Sequence, residues 1–182
     1  RLFKDLRSKH FLYDKHTHSS PTLLALKLKT RYRHLQTFTQ LHMFVVSLRC
    51  EHSCPYCQVS RQSDDKIAYD MSEEVALKSI ELALQSPSRD IKIEFQGGEP
   101  LLNFPMIKFI VAEAKKQNTQ KNLSFVIATN LAVLTDEILD FCKRHDIAIS
   151  TSLDGPQEIH NKNRPRPGNN SYEKTISGIH RV

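Results

Sequence analysis

No run of 18 or more apolar residues occurs in this sequence, which excludes a membrane-spanning helix by the usual length criterion. The first residues, RLFKDLRSKH, lack the apolar centre of a secretory signal. There is no initiating Met, and the chain stops at GIHRV without a terminating signal, so we expect an excerpt of a longer protein. A G-x-S-x-G elbow and a phosphate-binding G-x4-G-K-[ST] loop are both missing, which removes the hydrolase and nucleotide-loop readings. Internal repeats are missing too. Cysteine is scarce, four in 182 residues, and three of the four fall within residues 50–57. That distribution is no disulfide framework; it points to metal binding or chemistry in a reducing compartment, and we expect a cytoplasmic protein. Acidic residues are rare in the first part of the chain. Residues 1–49 hold ten Lys/Arg against two Asp/Glu, whereas residues 50–182 hold sixteen against eighteen. A basic lobe can attract an acidic peptide or nucleic acid, but a solvated helical surface accounts for it as well, and we expect no nucleic-acid partner.

What is present divides at about residue 40. Residues 1–40 read as a basic, mainly helical lead-in. Ser20 is a candidate N-cap, Pro21 fits a first turn, and Leu24, Leu28 and Leu35 form an apolar stripe. His10, His16, His18, His34 and His42 are scattered over this region and read as ordinary surface or packing residues. From 41 to 182 the texture changes. The segments 43–49, 91–96, 123–129 and 147–153 are short and rich in β-branched and aromatic residues, as strands are. Helical patterns separate them. One opens at Ser72 with Ala76, Ile80, Ala83 and Leu84 on one face; a second follows Asn103 with Ile107, Ile110, Val111 and Ala114. A third opens at Thr135 with Ile138, Leu139 and Cys142 facing inward, and a fourth begins near Ser171. Strand–helix alternation at this rhythm predicts βαβ units and a parallel α/β sheet, either doubly wound or part of a barrel. In both, ligands gather at the carboxyl ends of the strands.

The strand ends carry the chemistry. After the first come Cys50, Cys54 and Cys57, after the second QGGEP (96–100), after the third Thr129 and Asn130, and the fourth runs through Ser150 and Ser152 into LDG. Three thiolates suit zinc or an iron–sulfur cluster. A structural zinc site needs a fourth ligand. His52, inside the loop, reads as solvent-facing, and Cys142 reads as core. A cluster with one uncapped iron accounts better for the missing thiol. Gly97 and Gly98 can bring backbone close to a ligand and take positive φ. Glu99 can accept from a ligand ammonium, and Pro100 fixes the chain direction.

With C-x3-C-x2-C, an aromatic before the last Cys, and GGEP after the next strand, the sequence resembles the radical S-adenosylmethionine (radical SAM) superfamily. SLDGPQEIHNKNRPRPGNNSY (152–172) is similar to the matching stretch of the anaerobic sulfatase maturases, except that Asn161 stands where Asp is usual. HMFVVSLRCEHSCPYCQVSRQ, IEFQGGEPLLNF and IATNLAVLTDEILDFC further resemble the radical maturases of His-Xaa-Ser systems. The resemblance implies a partial (β/α)6 barrel, about its first four βα units, over residues 41–182. It implies that Cys50, Cys54 and Cys57 hold a [4Fe–4S] cluster whose fourth iron binds S-adenosyl-L-methionine. Reductive cleavage then gives a 5′-deoxyadenosyl radical that abstracts hydrogen from a C–H bond. Tyr56 is implied near the adenine, Gly97, Gly98 and Glu99 at the methionine ammonium, and Ser152 and Arg164 at the carboxylate. Asp154 sets the turn or assists near the ribose. Asn130 contacts cofactor or substrate, or simply ends its strand, and Arg166 is surface or a substrate contact. The implied partners are a peptide or protein substrate, in the narrower resemblance a His-Xaa-Ser-rich one, and an electron donor such as flavodoxin or ferredoxin. The competing readings are an iron–sulfur or zinc module without catalysis, and an inactive fragment of such an enzyme.

Overall fold

A computed structural model describes residues 1–12, 19–37 and 39–182, and it divides into two compact units, Arg1–Phe38 and Thr39–Val182. The first unit contains helices α1 (Leu2–Ser8) and α2 (Ser19–Arg31) and a 3₁₀ turn, Arg33–Thr37. Its expected apolar stripe is not a buried one: Leu24 is only half-buried, and Leu28 and Leu35 are exposed. The spacing of leucines fits a helix, but the described residues of the unit supply no core beneath them. His16 and His18 lie outside the described residues.

The second unit is built on four parallel strands, β1 (Leu41–Ser47), β2 (Asp90–Gly97), β3 (Asn122–Ala128) and β4 (Ile147–Ser150). They lie side by side in chain order. A doubly wound sheet reverses its strand order at the middle, whereas right-handed crossovers that always step the same way place every helix on one face. The crossover helices are α4 (Glu73–Leu84), α5 (Phe104–Gln117) and α6 (Asp136–His145), following the short α3 (Lys66–Tyr69). Alternate strand residues meet them: Phe44 and Val46, Ile91, Ile93 and Phe95, Phe125 and Ile127 pack against Ala76, Ile80, Ile107, Ile110, Val111, Ile138 and Cys142. The intervening residues of β1, Leu41, Met43 and Val45, are exposed on the opposite face. This one-sided arrangement, with strands in chain order, is that of a partial β/α barrel rather than a doubly wound sheet.

Helix starts are set locally. The Ser72 hydroxyl accepts from Val75 N–H and the Thr135 hydroxyl from Ile138 N–H, satisfying first-turn donors that have no partner within the helix. Asp146 closes α6 in the left-handed region at φ 53°. β4 stops at Ser150 rather than 153, and two helices follow it, α7 (Gln157–Asn163) and α8 (Ser171–Arg181). Asn161 joins them: its carbonyl oxygen accepts from Ser171 Oγ (2.9 Å) and Tyr172 N–H (2.8 Å), while its amide donates to Asn169 O (2.9 Å). An amide does both jobs, which an ionised carboxylate at this position could not. Among the described residues no helix is long and apolar enough to cross a membrane.

Candidate active site

The site begins where β1 ends. Arg49 is buried and its guanidinium is engaged at all three nitrogens: Nε and Nη2 donate to Asp70 (2.8 and 2.9 Å), Nη1 to Asp64 (2.9 Å), and Nη2 also to the Leu102 carbonyl (2.8 Å). Ser47 Oγ donates to the same Asp70 carboxylate and accepts from Arg49 N–H. Beyond this anchor the cysteine loop is closed on itself, with Gln62 N–H donating to Leu48 O and Arg61 Nη1 to Cys50 O, both at 2.9 Å. Gly98 N–H donates to Ser47 O (2.9 Å) and Glu99 N–H to Arg49 O (2.8 Å), so the ladder between β1 and β2 runs on past the strands.

Gly97 and Gly98 do not take the positive φ that their sequence allows. They are glycines for lack of room. A Cβ on Gly97 would stand 2.1 Å from Ser47 O, and one on Gly98 2.4 Å from Arg49 O. The close approach is to the backbone that carries the cysteines.

Glu99 is wholly buried. Its Oε1 accepts from Leu101 N–H (3.0 Å) and Thr129 Oγ1 (2.7 Å), its Oε2 from Asn130 N–H (2.9 Å). Burial above all, helped by the charge of Glu51, pushes its carboxyl up to about 7 against the pull of those donors. It clamps the end of β3 to the end of β2. Asn130 passes the connection on. Its oxygen takes the Ala132 N–H (2.8 Å), which turns its amide toward His52 Nδ1 at 2.9 Å. His52 is therefore not solvent-facing as its loop position suggested: it is 2% exposed, with Glu51 Oε1 3.2 Å from Nδ1. Among the described residues His52 Nε2 and Glu51 Oε2 are buried without a hydrogen-bond partner.

Cys50, Cys54 and Cys57 are half-buried free thiols, and Cys142 is a buried core residue of α6. Burial pushes the Cys50 thiol up to about 12 and raises that of Cys54 as well, the latter against the pull of the Arg164 charge. Among the described residues the ligand-type atoms that come within 4.8 Å of one another are those of Cys50, Glu51 and His52, not the three thiols together. The thiols are thus spread wider than a single tetrahedral zinc draws its sulfurs, about 3.8 Å apart from a Zn–S bond of about 2.3 Å.

Opposite the cysteine loop, Arg164 places Nε and Nη2 on Asp154 Oδ1, both at 3.0 Å, and Tyr56 donates its hydroxyl to Asp154 Oδ2. The guanidinium carbon stands 5.7 Å from the centre of the Tyr56 ring. Burial would raise the Asp154 carboxyl, but the bonds from Arg164 and Tyr56 outweigh it and hold the group below its ordinary value. Burial and the Asp154 bond raise the Tyr56 phenol to about 12. His160 Nδ1 accepts the Asp154 N–H (3.3 Å), and Ser53 N–H donates to Pro165 O (2.7 Å), so this segment is tied to the cysteine loop at several points. Arg166 is half-buried rather than surface and donates to Asn170 Oδ1.

The three cysteines, Tyr56, Gly98, Asn130, Ser152 and Arg164 line one cavity of about 370 Å³ at the carboxyl ends of the strands. Gly97, Glu99 and Asp154 stand behind that lining. Sequence reasoning placed Thr129 on the rim and His160 beside Asn161 without giving either a role, and it missed Arg49 and Thr175. Arg49, the charged residue that ends an apolar strand directly before Cys50, was the one visible signal.

The sequence profile described as the radical SAM superfamily matches residues 44–182. The chain is 27% identical over 166 residues to the radical SAM cyclopropyl synthase TigE of Paramaledivibacter caminithermalis, covering 83% of this chain and 34% of that protein. It is 29% identical over 138 residues to the serine-type anaerobic sulfatase-maturating enzyme of Bacteroides thetaiotaomicron, covering 74% of this chain and 33% of that one. A solved structure described as native anSMEcpe with bound AdoMet and a peptide superposes with a TM-score of 0.66 at 24% identity, over 77% of this chain and 38% of the other. The chain spans between about a third and a half of the length of the curated relatives it matches.

Proposed function

Because this chain belongs to the radical SAM superfamily, we propose that it uses a [4Fe–4S] cluster and S-adenosyl-L-methionine to modify a ribosomally made peptide or protein. The observation that carries the reading is the convergence of Cys50, Cys54, Cys57, Gly98, Ser152 and Arg164 on one cavity. The residues fit the cofactors. The free thiols are soft donors, too widely spread for one ion, and three of them leave one iron of a four-iron cluster without a protein ligand. When bound, cluster and cofactor supply one-electron cleavage of a sulfonium C–S bond and a 5′-deoxyadenosyl radical able to take hydrogen from a C–H bond.

The chain's own part is binding, orientation and exclusion of water. Cys50, Cys54 and Cys57 would hold the cluster, and the burial that disfavours the bare thiolates of Cys50 and Cys54 would be offset once iron binds. The Gly97–Glu99 segment faces the cofactor's amino end; Glu99 itself stays engaged with three protein donors and keeps that segment in place. Ser152 and Arg164 receive the carboxylate, for which a guanidinium fork is suited. Tyr56 lies on the adenine side. Asn130 holds His52, and through it the cysteine loop, against β3. The sulfatase-maturating relatives support a peptide or protein substrate, and the resemblance of the sequence motifs to His-Xaa-Ser systems suggests a His-Xaa-Ser-rich peptide. Flavodoxin or ferredoxin is the electron donor in this reading.

Anaerobic reconstitution tests the proposal. It should load about four irons per chain, and with reductant the protein should release 5′-deoxyadenosine; a Cys54→Ala variant that still does so refutes it. Mass change on a His-Xaa-Ser-rich peptide, incubated with the full-length enzyme, tests the substrate. A second reading, a zinc module without catalysis, draws on the proximity of Cys50, Glu51 and His52. One zinc and no labile sulfide in the purified protein would favour it.

A further inference from the structure

Arg164 and Tyr56 come from segments far apart in sequence, and a single carboxylate joins them. Asp154 gives one oxygen to Arg164 Nε and Nη2 and the other to the Tyr56 hydroxyl. Asp154 is itself held from behind, because its N–H is donated to the fully buried His160, whose Nε2 lies 3.4 Å from the Thr175 hydroxyl, itself a donor to Asn130 O. Tyr56 and Arg164 line the cavity, and Asp154 stands outside it.

We infer that Asp154 is the positioning residue that aims Arg164 at the carboxylate of the cofactor, and that through Tyr56 it couples this aim to the cysteine loop. The inference rests on the reading that the cavity takes S-adenosylmethionine, and it deepens that reading. Two arrangements would be possible in principle. In one, Asp154 masks Arg164 and must be displaced by the incoming carboxylate. In the other, it holds one edge of the guanidinium and leaves the other edge to the ligand. The geometry favours the second. Nε and Nη2 share a single Asp154 oxygen, and among the described residues Nη1 takes no partner. A carboxylate can therefore engage the Nη1–Nη2 edge in the bidentate manner while Asp154 keeps its place. A guanidinium fixed in advance loses less conformational freedom on binding than a free one. The Tyr56 ring beneath it restricts it further.

The test uses the reconstituted full chain and equilibrium binding without reductant, so that no turnover occurs. Two probes are compared: S-adenosyl-L-methionine, and its decarboxylated analogue, which keeps the adenosine, sulfonium and amine. Asp154→Asn should weaken S-adenosylmethionine by about tenfold and the decarboxylated analogue by less than about twofold. Tyr56→Phe keeps the ring and releases Oδ2; it should show the same selectivity at about threefold. Iron content and cluster absorbance should stay at wild-type values in Tyr56→Phe, which decides the matter if Asp154→Asn fails to hold its cluster. Equal losses for both probes mean a merely structural role and overturn the inference. Unchanged or tighter S-adenosylmethionine binding overturns it too, since tighter binding is what the masking arrangement predicts. Wild-type protein that binds neither probe overturns the functional reading, and this inference with it.

Discussion

Replacing Arg49 with Ala removes the buried cation at the root of the cysteine loop. The loss can be worked out partner by partner. Asp64 is 89% exposed, so its ion pair is surface-like and contributes about 0–1 kcal/mol. Asp70 is different: its side chain is 16% exposed, receives two charge-assisted bonds from Arg49, and would be left, among the described residues, with only the Ser47 hydroxyl. Removing one partner of such a buried pair costs about 3–5 kcal/mol, because the other charge stays behind uncompensated. The Leu102 carbonyl loses its donor as well. We expect Arg49→Ala to destabilise the chain by about 3–5 kcal/mol in urea unfolding near pH 7, nearly all of it through Asp70. Arg49→Lys keeps the charge without the planar fork and should cost about 2 kcal/mol. A double-mutant cycle with Asp70→Ala should give a coupling above about 1.5 kcal/mol, and one with Asp64→Ala below about 0.5 kcal/mol. Equal couplings for the two aspartates, or a loss under about 1 kcal/mol for Arg49→Ala, would refute the reasoning.

The Glu99 carboxyl titrates at about 7 in the folded chain against 4.5 for the free group, so the native state holds a proton there that the unfolded state releases in between. Its contribution is fully present below about 4.5 and lost as pH rises to about 7, roughly 3 kcal/mol in all; unfolding of wild type and Glu99→Gln measured across that window should diverge accordingly, and parallel profiles would contradict it. Gly98→Ala forces a methyl group against the Arg49 carbonyl and should cost about 1–3 kcal/mol. Gly155→Ala, at φ 122° with nothing within 4 Å, should cost about 1 kcal/mol, from backbone strain alone; thermal unfolding ranks the two. Asn161→Ala leaves the start of α8 without its acceptor and should lower stability by about 1–2 kcal/mol, with loss of helical circular dichroism.

Much of the framework could be read from neighbouring residues alone. Ser72 and Thr135 announce their helices because a cap is a contact within one turn, and the alternation through Phe44, Val46, Ile91, Ile93 and Phe95 marks the buried face. What escaped depends on distant partners. His52 sits in a polar loop, yet it is buried and meets Asn130, 78 residues on. Arg49 finds Asp70 21 residues away. The positive φ that the glycines of QGGEP allow is not used; the crowding by another strand's carbonyls that leaves no room for a side chain has no local signature. The leucines of α2 mislead in the opposite sense: periodicity says which face is apolar and says nothing of whether anything covers it. α7 went unread because QEIHNKN lacks a repeating apolar face.

The loop that carries the thiols is buttoned at its own neck, by Gln62 to Leu48 and by Arg61 to Cys50. A hairpin of chain fastened this way behaves as a cartridge. Its far end can be lengthened, shortened or given another thiol spacing while strand register stays as it is, because the fastening sits between the insert and the sheet. Variation of the thiol-bearing end and retention of the frame are thereby mechanically separable, whereas a graft of the span from Cys50 to Arg61 needs Asn130, Asp154 and Pro165, which grip it from outside, to carry the thiol geometry with it.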